Sequence, residues 1–440
     1  MREYNFDGLV GPTHNYGGLS AGNLASTSHG GKPSHPRQAA LQGLEKMRFV
    51  AGLGVGQAVL PPQPRPSLRT LRRLGFTGPD EAVITRAARE AEHLLRLTSS
   101  AAAMWTANAA TCAPSSDAGD RRMHLTPANL QQMFHRALEA ETTHAVLSAI
   151  FADEARFAVH APLPGGGQFA DEGAANHTRL VTPGHAAVHL LAWGRSSWKE
   201  FTAPQRFPAR QTLEASQALA RLHQLDPERT LFPQQHPEGI DAGAFHTDVV
   251  AVGNGGFLML HERAFVDPTG LLGTLQQKLG EGFTFTVASE AELPSQDAVR
   301  AYPFNSQVLT LPDGSMAIIA PVESQETESA RRFLERVVAE RNPVKQVHYL
   351  DLRQSMNNGG GPACLRQRIV LTDEERAAVK ANVFYTPELH EALAGWVTKH
   401  YRETLYPDDL KDPALARETM TALDALTRIL RLGSVYDFQQ

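Results

Sequence analysis

Cys364 lies in a segment whose composition suits nucleophilic chemistry. It follows the run Asn357–Ala363, which contains three consecutive glycines. Glycines let the backbone approach a ligand closely, and such a run is poor at forming regular structure. The sequence therefore predicts a nucleophilic Cys364 beside a loop that contacts substrate, with a buried cysteine that opens a strand as the alternative. The second cysteine, Cys112, has small apolar neighbours and no glycine loop, which predicts a core residue.

An imidazole and nearby carboxylates could complete such a site. His246 precedes an apolar strand, and an imidazole can donate or accept protons near neutral pH. Asp248, two residues further on, points to the same side of an extended strand. Glu172 could hold a cationic substrate and polarise His246. The competing interpretation is a solvated acidic pair of Glu172 with Asp171, and Asp171 could also take the functional role.

Composition narrows the class of protein. The 440 residues include 42 Lys and Arg against 47 Asp and Glu, giving a net charge of −5 and no reason to expect nucleic acid or an anionic membrane as partner. Two cysteines are too few for a disulfide scaffold, a four-cysteine zinc site or a cysteine-ligated iron–sulfur cluster. We expect a cytoplasmic protein, because the chain shows neither a signal-like start nor an apolar run of about 18 residues. The inventory of possible ligands suggests no metal, and we expect no cofactor.

Turn signals organise the chain around these candidate residues. Asn254-Gly255 and Asp313-Gly314 each separate two apolar runs, which predicts two tight hairpins. Each predicted hairpin precedes a helical pattern, Phe265–Leu279 and Glu326–Arg341, and then a short strand. The repeated unit is therefore strand, strand, helix, strand.

Two weaker copies of this unit lie upstream, marked by turns at Asp117 and Pro183. Successive turn markers are separated by 66, 71 and 59 residues, which is typical of a ring or propeller-like repeat. The chain ends supply the elements of a fifth unit: the strand Tyr4–Val10, the helix Arg37–Ala51, the strand Gln57–Leu60 and the C-terminal strand Leu365–Leu371. We expect one catalytic domain spanning the whole chain and closed by both termini, with surface helices from about residue 372.

Equivalent positions of such a ring converge on its axis. Five polar residues lie near the start of a unit's first strand, at intervals of 64, 74, 59 and 59 residues: Asn108, Glu172, His246, Asn305 and Cys364. A thiol, an imidazole and a carboxylate that are far apart in sequence are therefore predicted to surround one central point.

Eight motifs occur together along the chain in a fixed order. They are Asn5–Gly11, Gly18–Asn23, Ala107–Thr111, Phe134–Arg136, Asp171–His177, Pro208–Thr212, Phe245–Val249 and Asn358–Arg366. With these motifs the chain resembles the bacterial N-succinylarginine dihydrolase family over nearly its whole length. The resemblance implies an α/β fold of the pentein type, a five-bladed α/β propeller of strand–strand–helix–strand units with pseudo-fivefold symmetry.

The resemblance also implies an activity and a set of site residues. The activity is hydrolysis of N2-succinyl-L-arginine to N2-succinyl-L-ornithine, two ammonia and carbon dioxide, by a homodimer without cofactor. Cys364 would be the nucleophile, with His246 and Glu172 as its catalytic partners. The implied substrate contacts are Gly17, Gly18, Leu19, Ser20, Ala21, Gly22, Asn23, Leu24, Ala25, Ser26, Asn108, His135, Arg136, Arg210, Asp248 and Asn358.

Arg136 and Arg210 suit the carboxylates of a succinylated substrate, because guanidinium groups bind carboxylates through paired hydrogen bonds. Leu24 departs from the acidic residue that relatives carry there, which could alter how the loop Gly17–Ser26 holds substrate. Two alternatives stay open. One is a deiminase that stops after a single hydrolysis, and the other is a ring-shaped binding protein without catalytic activity.

Overall fold

Fifteen short strands form five separate three-stranded sheets in the computed structural model, which describes residues 1–440. In each sheet the central strand pairs antiparallel with one neighbour and parallel with the other. The strands are β1 Arg2–Gly8, β2 Gly56–Leu60, β3 Ala110–Ala113, β4 Met123–Pro127, β5 Phe157–Val159, β6 His177–Leu180, β7 Val188–Leu191, β8 Thr230–Leu231, β9 Ala251–Asn254, β10 Phe257–His261, β11 Thr284–Ala288, β12 Gln307–Thr310, β13 Met316–Pro321, β14 Val344–Leu350 and β15 Arg366–Leu371.

A helix precedes the third strand of every unit, because a parallel pair needs a crossover connection whereas an antiparallel pair needs only a turn. None of the helices is both long and apolar enough to cross a membrane. The α-helices are α1 Leu24–His29, α2 Pro36–Gly52, α3 Leu68–Arg73, α4 Asp80–Glu90, α5 Glu92–Thr98, α6 Phe134–Ala137, α7 Ala140–Ile150, α8 Leu213–Leu222, α9 Pro237–Ala242, α10 Pro268–Leu279, α11 Ser295–Ala301, α12 Val322–Glu326, α13 Glu328–Ala339, α14 Arg353–Met356, α15 Asp373–Ala378, α16 Pro387–His400 and α17 Pro413–Leu430.

The two predicted hairpins are present, with one difference in the turn. Asn254 pairs with Phe257, so the two connecting residues are Gly255 and Gly256 rather than Asn254 and Gly255. Only Gly255 has a positive φ, of 52°. The side chain of Asn254 instead donates a hydrogen bond to the carbonyl of Val308 at 2.9 Å, which ties this sheet to the next one.

The predicted fifth unit is confirmed as a sheet that both ends of the chain build. Its strand order is β15, β1, β2, and Asn5 of the central strand faces Arg368 on one side and Gln57 on the other. The helix α2 connects β1 to β2 in the manner of the other crossovers. The N-terminal strand therefore reaches its full set of partners only when the C-terminal part of the chain is in place.

The helices after residue 372 also contribute to the largest hydrophobic core. Helix α16 packs against α2 and α17. Trp396 of α16 and Leu426 of α17 are both buried in this core. The indole of Trp396 donates to the carbonyl of Ala422 at 2.7 Å. The hydroxyl of Tyr401 donates to the carbonyl of Val10 at 2.6 Å. These helices are thereby fixed to the N-terminal segment.

Hydrogen bonds join the segments that precede the first strands of the five units. Asn108 donates to the carbonyl of Glu172 at 2.6 Å, and the amide of Thr247 donates to Asn176 at 2.9 Å. Asn305 donates to the carbonyl of Asp248 at 3.3 Å and accepts, through its own carbonyl, the amide of Ala363 at 3.0 Å. The amide of Ala107 then donates to the carbonyl of Cys364 at 3.0 Å. The bonds run through all five segments and return to the first.

Candidate active site

The three residues predicted to be catalytic lie in this linked set of segments and are buried. Cys364 lies two residues before β15. His246 directly precedes the 3₁₀ turn Thr247–Val249, which leads into β9. Glu172 directly precedes the 3₁₀ turn Gly173–Asn176, which leads into β6. Their relative exposures are 2%, 0% and 0%. Buried polar groups of this kind need partners, and the partners define what each group can do.

The thiol of Cys364 has two polar neighbours. The side-chain amide of Asn305 donates to Sγ at 3.1 Å, and Sγ lies 3.6 Å from Oδ2 of Asp248. Burial and the Asp248 carboxylate raise the pKa of the Cys364 thiol well above its usual range, although the bond from Asn305 acts in the opposite direction. In the absence of substrate the thiol is therefore protonated and can donate to Asp248.

Glu172 connects the imidazole with two guanidinium groups. Its Oε2 lies 2.6 Å from Nε2 of His246, 2.5 Å from Nη1 of Arg136 and 3.9 Å from Nη1 of Arg210. Burial alone would raise the pKa of Glu172, but the charge of Arg136 and the bond to His246 outweigh it and lower that pKa below the usual range. Glu172 is therefore an anion whose Oε2 is already bonded to His246 and Arg136.

His246 is held as a neutral base at neutral pH. Burial lowers the pKa of His246 to about 4, although its bond to Glu172 acts against this shift. Because Nε2 is occupied by Glu172, Nδ1 is the nitrogen that can exchange a proton with another group. Nδ1 is buried and has no hydrogen-bond partner in the protein.

Asp248 titrates in the physiological range. Burial raises the pKa of Asp248 to about 7, and hydrogen bonds from Cys364 and Asn305 counteract part of this shift. Its second oxygen, Oδ1, is buried without a partner. A cation placed beside Asp248 would favour the ionised carboxylate.

Arg210 and His135 connect the site to the predicted substrate loop Gly17–Ser26. Nη2 of Arg210 donates to the carbonyl of Ala21 at 2.9 Å, and its guanidinium carbon lies 4.5 Å from the ring centre of Phe245. Nε2 of His135 is 3.1 Å from the hydroxyl of Ser20. Part of the loop therefore lies directly over the charged groups.

The rest of that loop is fixed to the glycine-rich segment. Asn23 donates to the carbonyl of Asn358 at 3.0 Å, and Ser26 donates to the side-chain oxygen of Asn358 at 2.9 Å. Gly359 has φ of 87°, and a Cβ there would lie 2.2 Å from Oδ1 of Asn23. A side chain at this position would displace the loop. By contrast, Leu24 is 42% exposed, and its side chain lies beside Gly243.

Several buried polar atoms of these residues lack any partner within the protein. They are Nε and Nη2 of Arg136, Nε and Nη1 of Arg210, Oε1 of Glu172, Nδ1 of His246, Oδ1 of Asp248 and Oδ1 of Asn108. Buried polar groups are normally satisfied, so a cluster of unsatisfied donors and acceptors indicates a ligand that carries both charges. Two cavities of about 750 and 770 Å³ lie elsewhere, and the chemistry identifies this site better than cavity size does.

Three further residues lie beside the site although the sequence patterns assigned them no chemical role. Asn305 is one of the five converging positions, but only the structure shows that its side chain contacts Sγ of Cys364. Tyr302 is buried with φ of 56°, and Trp105 has its ring 5.7 Å from the guanidinium carbon of Arg136. Nothing in the local sequence around Tyr302 or Trp105 could have indicated this proximity.

Known proteins share this fold. The crystal structure of the N-terminal domain of ArgZ, a variant covalently bound to a reaction intermediate, matches with a TM-score of 0.50, 15% identity, and coverage of 84% of this chain and 98% of that one. Unliganded AgrE matches with a TM-score of 0.50 and 17% identity over 85% of this chain and 41% of that one. These likenesses define an α/β fold of the class to which those two proteins belong.

Sequence comparison narrows the class to one family. A family model described as succinylarginine dihydrolase matches residues 1–439. The N-succinylarginine dihydrolase of Myxococcus xanthus (strain DK1622) is 79% identical over 440 residues, covering 100% of both chains. That of Chromohalobacter salexigens is 54% identical over 445 residues, covering 100% of this chain and 99% of the relative. The chain belongs to the succinylarginine dihydrolase family, which confirms the resemblance inferred from its motifs.

Proposed function

We propose that the protein hydrolyses N2-succinyl-L-arginine to N2-succinyl-L-ornithine, two molecules of ammonia and carbon dioxide, as a step of arginine catabolism. One observation carries the proposal: a buried thiol lies among two carboxylates and two guanidinium groups, each with polar atoms left unpaired. The carboxylates match the guanidinium end of the substrate, and the arginines match its carboxylate end. The whole-length identity to relatives named for this activity supports the same assignment.

The guanidinium end would lie between the unpaired oxygens of Glu172 and Asp248. Oε1 of Glu172 and Oδ1 of Asp248 are the buried acceptors available for its N–H groups. The substrate's positive charge would hold Asp248 ionised and favour the thiolate of Cys364, whose pKa is high in the empty site because burial and Asp248 disfavour the anion. Binding of the correct cation therefore activates its own nucleophile.

In the first round, Nδ1 of His246 accepts the thiol proton and Sγ attacks the guanidinium carbon. The imidazolium returns that proton to the departing nitrogen, which leaves as ammonia, and a C–S bond joins the substrate to Cys364. His246 next takes a proton from water, and the resulting hydroxide attacks the same carbon. The C–S bond breaks, the sulfur recovers a proton from His246, and a ureido product remains.

The second round repeats these steps on the ureido carbon. Ammonia leaves again and water cleaves the C–S bond, which gives an N-carboxylate that loses carbon dioxide to form N2-succinyl-L-ornithine. Two waters are consumed and two ammonia molecules released. Because a neutral ureido group is bound less strongly than a guanidinium by Glu172 and Asp248, retention of the intermediate depends on the other end of the substrate.

Arg136 and Arg210 would supply that retention. Each has two nitrogens without a partner inside the protein, although Arg136 also holds Glu172 and Arg210 also holds the loop carbonyl of Ala21. A succinyl group adds a carboxylate and removes the α-ammonium charge, so both arginines gain partners. Residues Gly17–Ser26, Asn108, His135 and Asn358 are proposed as the remaining contacts, as the family resemblance implies.

We also propose the wider organisation that the family resemblance implies. The five mixed sheets and the hydrogen bonds between their first-strand segments support a closed five-bladed propeller with pseudo-fivefold symmetry, built by the whole chain as one catalytic domain. A homodimer in the cytoplasm is the accompanying prediction, and light scattering of the purified protein measures the first part.

The test is product analysis with N2-succinyl-L-arginine. We expect mass spectrometry to show N2-succinyl-L-ornithine, with two ammonia molecules per molecule of product. Cys364→Ser should abolish turnover, whereas the matched control Cys112→Ser, at a buried thiol outside the site, should retain it. One ammonia with a ureido product would identify a deiminase, and unchanged substrate or full turnover by Cys364→Ser would disprove the proposal.

A further inference from the structure

A small cavity is lined by Asp248 and by no residue of the predicted substrate loop Gly17–Ser26. Its volume is about 90 Å³, and it follows β15 from Ala363 past Arg366 and Arg368 to Val370. Asp248, whose Oδ2 is 3.6 Å from Sγ of Cys364, is the only predicted substrate contact that lines it. We call this space the rear cavity.

Arg366 is the unusual residue of the rear cavity. It is only 8% exposed, its Nε is buried without a hydrogen-bond partner in the protein, and no carboxylate lies within 4 Å of its guanidinium. A buried guanidinium without a partner is unfavourable, so it indicates a ligand or ordered solvent that completes its hydrogen bonds. Because Arg366 lines the cavity, the missing partner belongs in that space.

The carboxylates nearest to Arg366 are already committed to other groups. Asp7, opposite Arg366 in the β1–β15 pair, lies 2.5 Å from Nζ of the buried Lys46. Glu3 accepts a hydrogen bond from Asn254 at 2.8 Å and lies 3.9 Å from Arg368. A third carboxylate, Asp248, lines the cavity itself, but no carboxylate oxygen comes within 4 Å of the Arg366 guanidinium, so its donors stay available to the cavity.

The other two arginines that line the cavity have protein partners. Arg179 donates to both oxygens of Asp117, at 2.5 and 3.0 Å, and Arg368 donates to Asn254 at 3.0 Å and to the carbonyl of Gly253 at 2.8 Å. The cavity lining carries three arginines against the single carboxylate of Asp248, which leaves the lining electropositive. An anion is the ligand that this charge distribution favours.

We propose that the rear cavity is a binding site for one small oxyanion of the size of bicarbonate, held by paired hydrogen bonds from Arg366. A planar oxyanion matches the fork of a guanidinium group, and the cavity is too small for a succinylated amino acid. Carbon dioxide from the proposed reaction hydrates to bicarbonate, so a ligand of this class is produced at the site. Only this last point rests on the proposed function.

The experiment is calorimetric titration of the protein with sodium bicarbonate at constant pH and ionic strength. The wild-type chain should show saturable binding. Arg366→Gln should weaken it by about tenfold or more, because the paired charged hydrogen bonds are lost. Val370→Phe, which fills the outer end while leaving the charges in place, should weaken it likewise. The control Arg428→Gln, at a residue remote from the cavity, should bind as the wild type does.

The outcomes separate this site from the proposed activity. Cys364→Ser should bind bicarbonate normally while failing to turn over substrate. Absence of saturable binding in the wild type, or equal binding in Arg366→Gln, Val370→Phe and wild type, would overturn the rear site even if turnover were normal. If Arg366→Gln does not fold, Val370→Phe against the wild type gives the deciding comparison.

Discussion

Asn305 holds Cys364 with both ends of one side-chain amide. Its Nδ2 donates to Sγ at 3.1 Å, and its Oδ1 accepts the backbone amide of Cys364 at 3.1 Å. The residue is fully buried, so neither bond is shared with bulk water. Asn305 therefore positions the sulfur, and in the proposed mechanism its Nδ2 would donate to the Cys364 thiolate.

Asn305→Ala should lower kcat more than it changes KM. Loss of a hydrogen bond to a charged group costs about 1.5–3 kcal/mol, which corresponds to roughly ten- to hundredfold in rate. The rate of Cys364 alkylation should also need a higher pH, because the thiolate loses its donor. Steady-state kinetics and alkylation across pH measure both effects. Asn382→Ala, at a partly buried amide remote from the cysteine, is the control, and an unchanged alkylation profile in Asn305→Ala would leave only a structural role.

Binding of substrate should weaken in acid through Asp248. Burial raises the pKa of Asp248 to about 7, so below that pH the carboxylate takes up a proton and loses its attraction for a guanidinium group. The dissociation constant of N2-succinyl-L-arginine for the inactive Cys364→Ser variant should rise about tenfold per pH unit below about 7 and level off above it.

The matched variant for this pH effect is Cys364→Ser combined with Asp248→Asn. It should bind substrate weakly at every pH, with the acid-dependent part removed. Calorimetric titration between pH 5 and 8 compares the two proteins. A pH dependence that survives in the Asp248→Asn background would assign the titration to another group.

Arg210→Ala should raise KM for N2-succinyl-L-arginine by roughly 30-fold or more, because truncating one partner of a buried charge pair costs about 2–5 kcal/mol. The effect on L-arginine should be much smaller, since that substrate lacks the succinyl carboxylate. Kinetics with both substrates test this, and Arg206→Ala, at an exposed arginine, is the control. Equal losses for the two substrates would contradict the assigned role of Arg210.

Gly359→Ala should disturb both stability and substrate binding. A Cβ at Gly359 would lie 2.2 Å from Asn23, and the φ of 87° is itself unfavourable for alanine. Gly31→Ala is a matched control, because Gly31 has φ of 80° but no atom within 4 Å of the added Cβ. Urea unfolding should show Gly359→Ala less stable than Gly31→Ala by about 1–3 kcal/mol, and only Gly359→Ala should raise KM. Equal effects would show that backbone strain alone matters.

Much of the fold was predictable because its signals are local. The turn at Asp313-Gly314, the hydrophobic pattern of α10 and the repeated unit all appear within short windows of sequence. Helix boundaries were less accurate. The helix predicted over Glu326–Arg341 is interrupted at Thr327, where α12 ends and α13 begins, and the local pattern shows no glycine or proline at that point.

The site was predictable to the extent that the repeat placed five polar residues around one centre. Its electrostatics were not, because they depend on contacts between units. Oε2 of Glu172 serves both His246 and Arg136, and the unpaired state of Arg366 follows from which carboxylates Lys46 and Arg368 occupy. Such competition between partners has no signature in sequence spacing.

The sheet formed by β15, β1 and β2 joins segments that lie far apart in the sequence. The strand that completes this sheet begins at Arg366, two residues after Cys364. Pairings between such distant segments form late in folding, since the intervening loop entropy must be overcome first. A chain that ends before Arg366 has β1 without its antiparallel partner, so closure of this sheet waits until synthesis has passed the last strand of the fold.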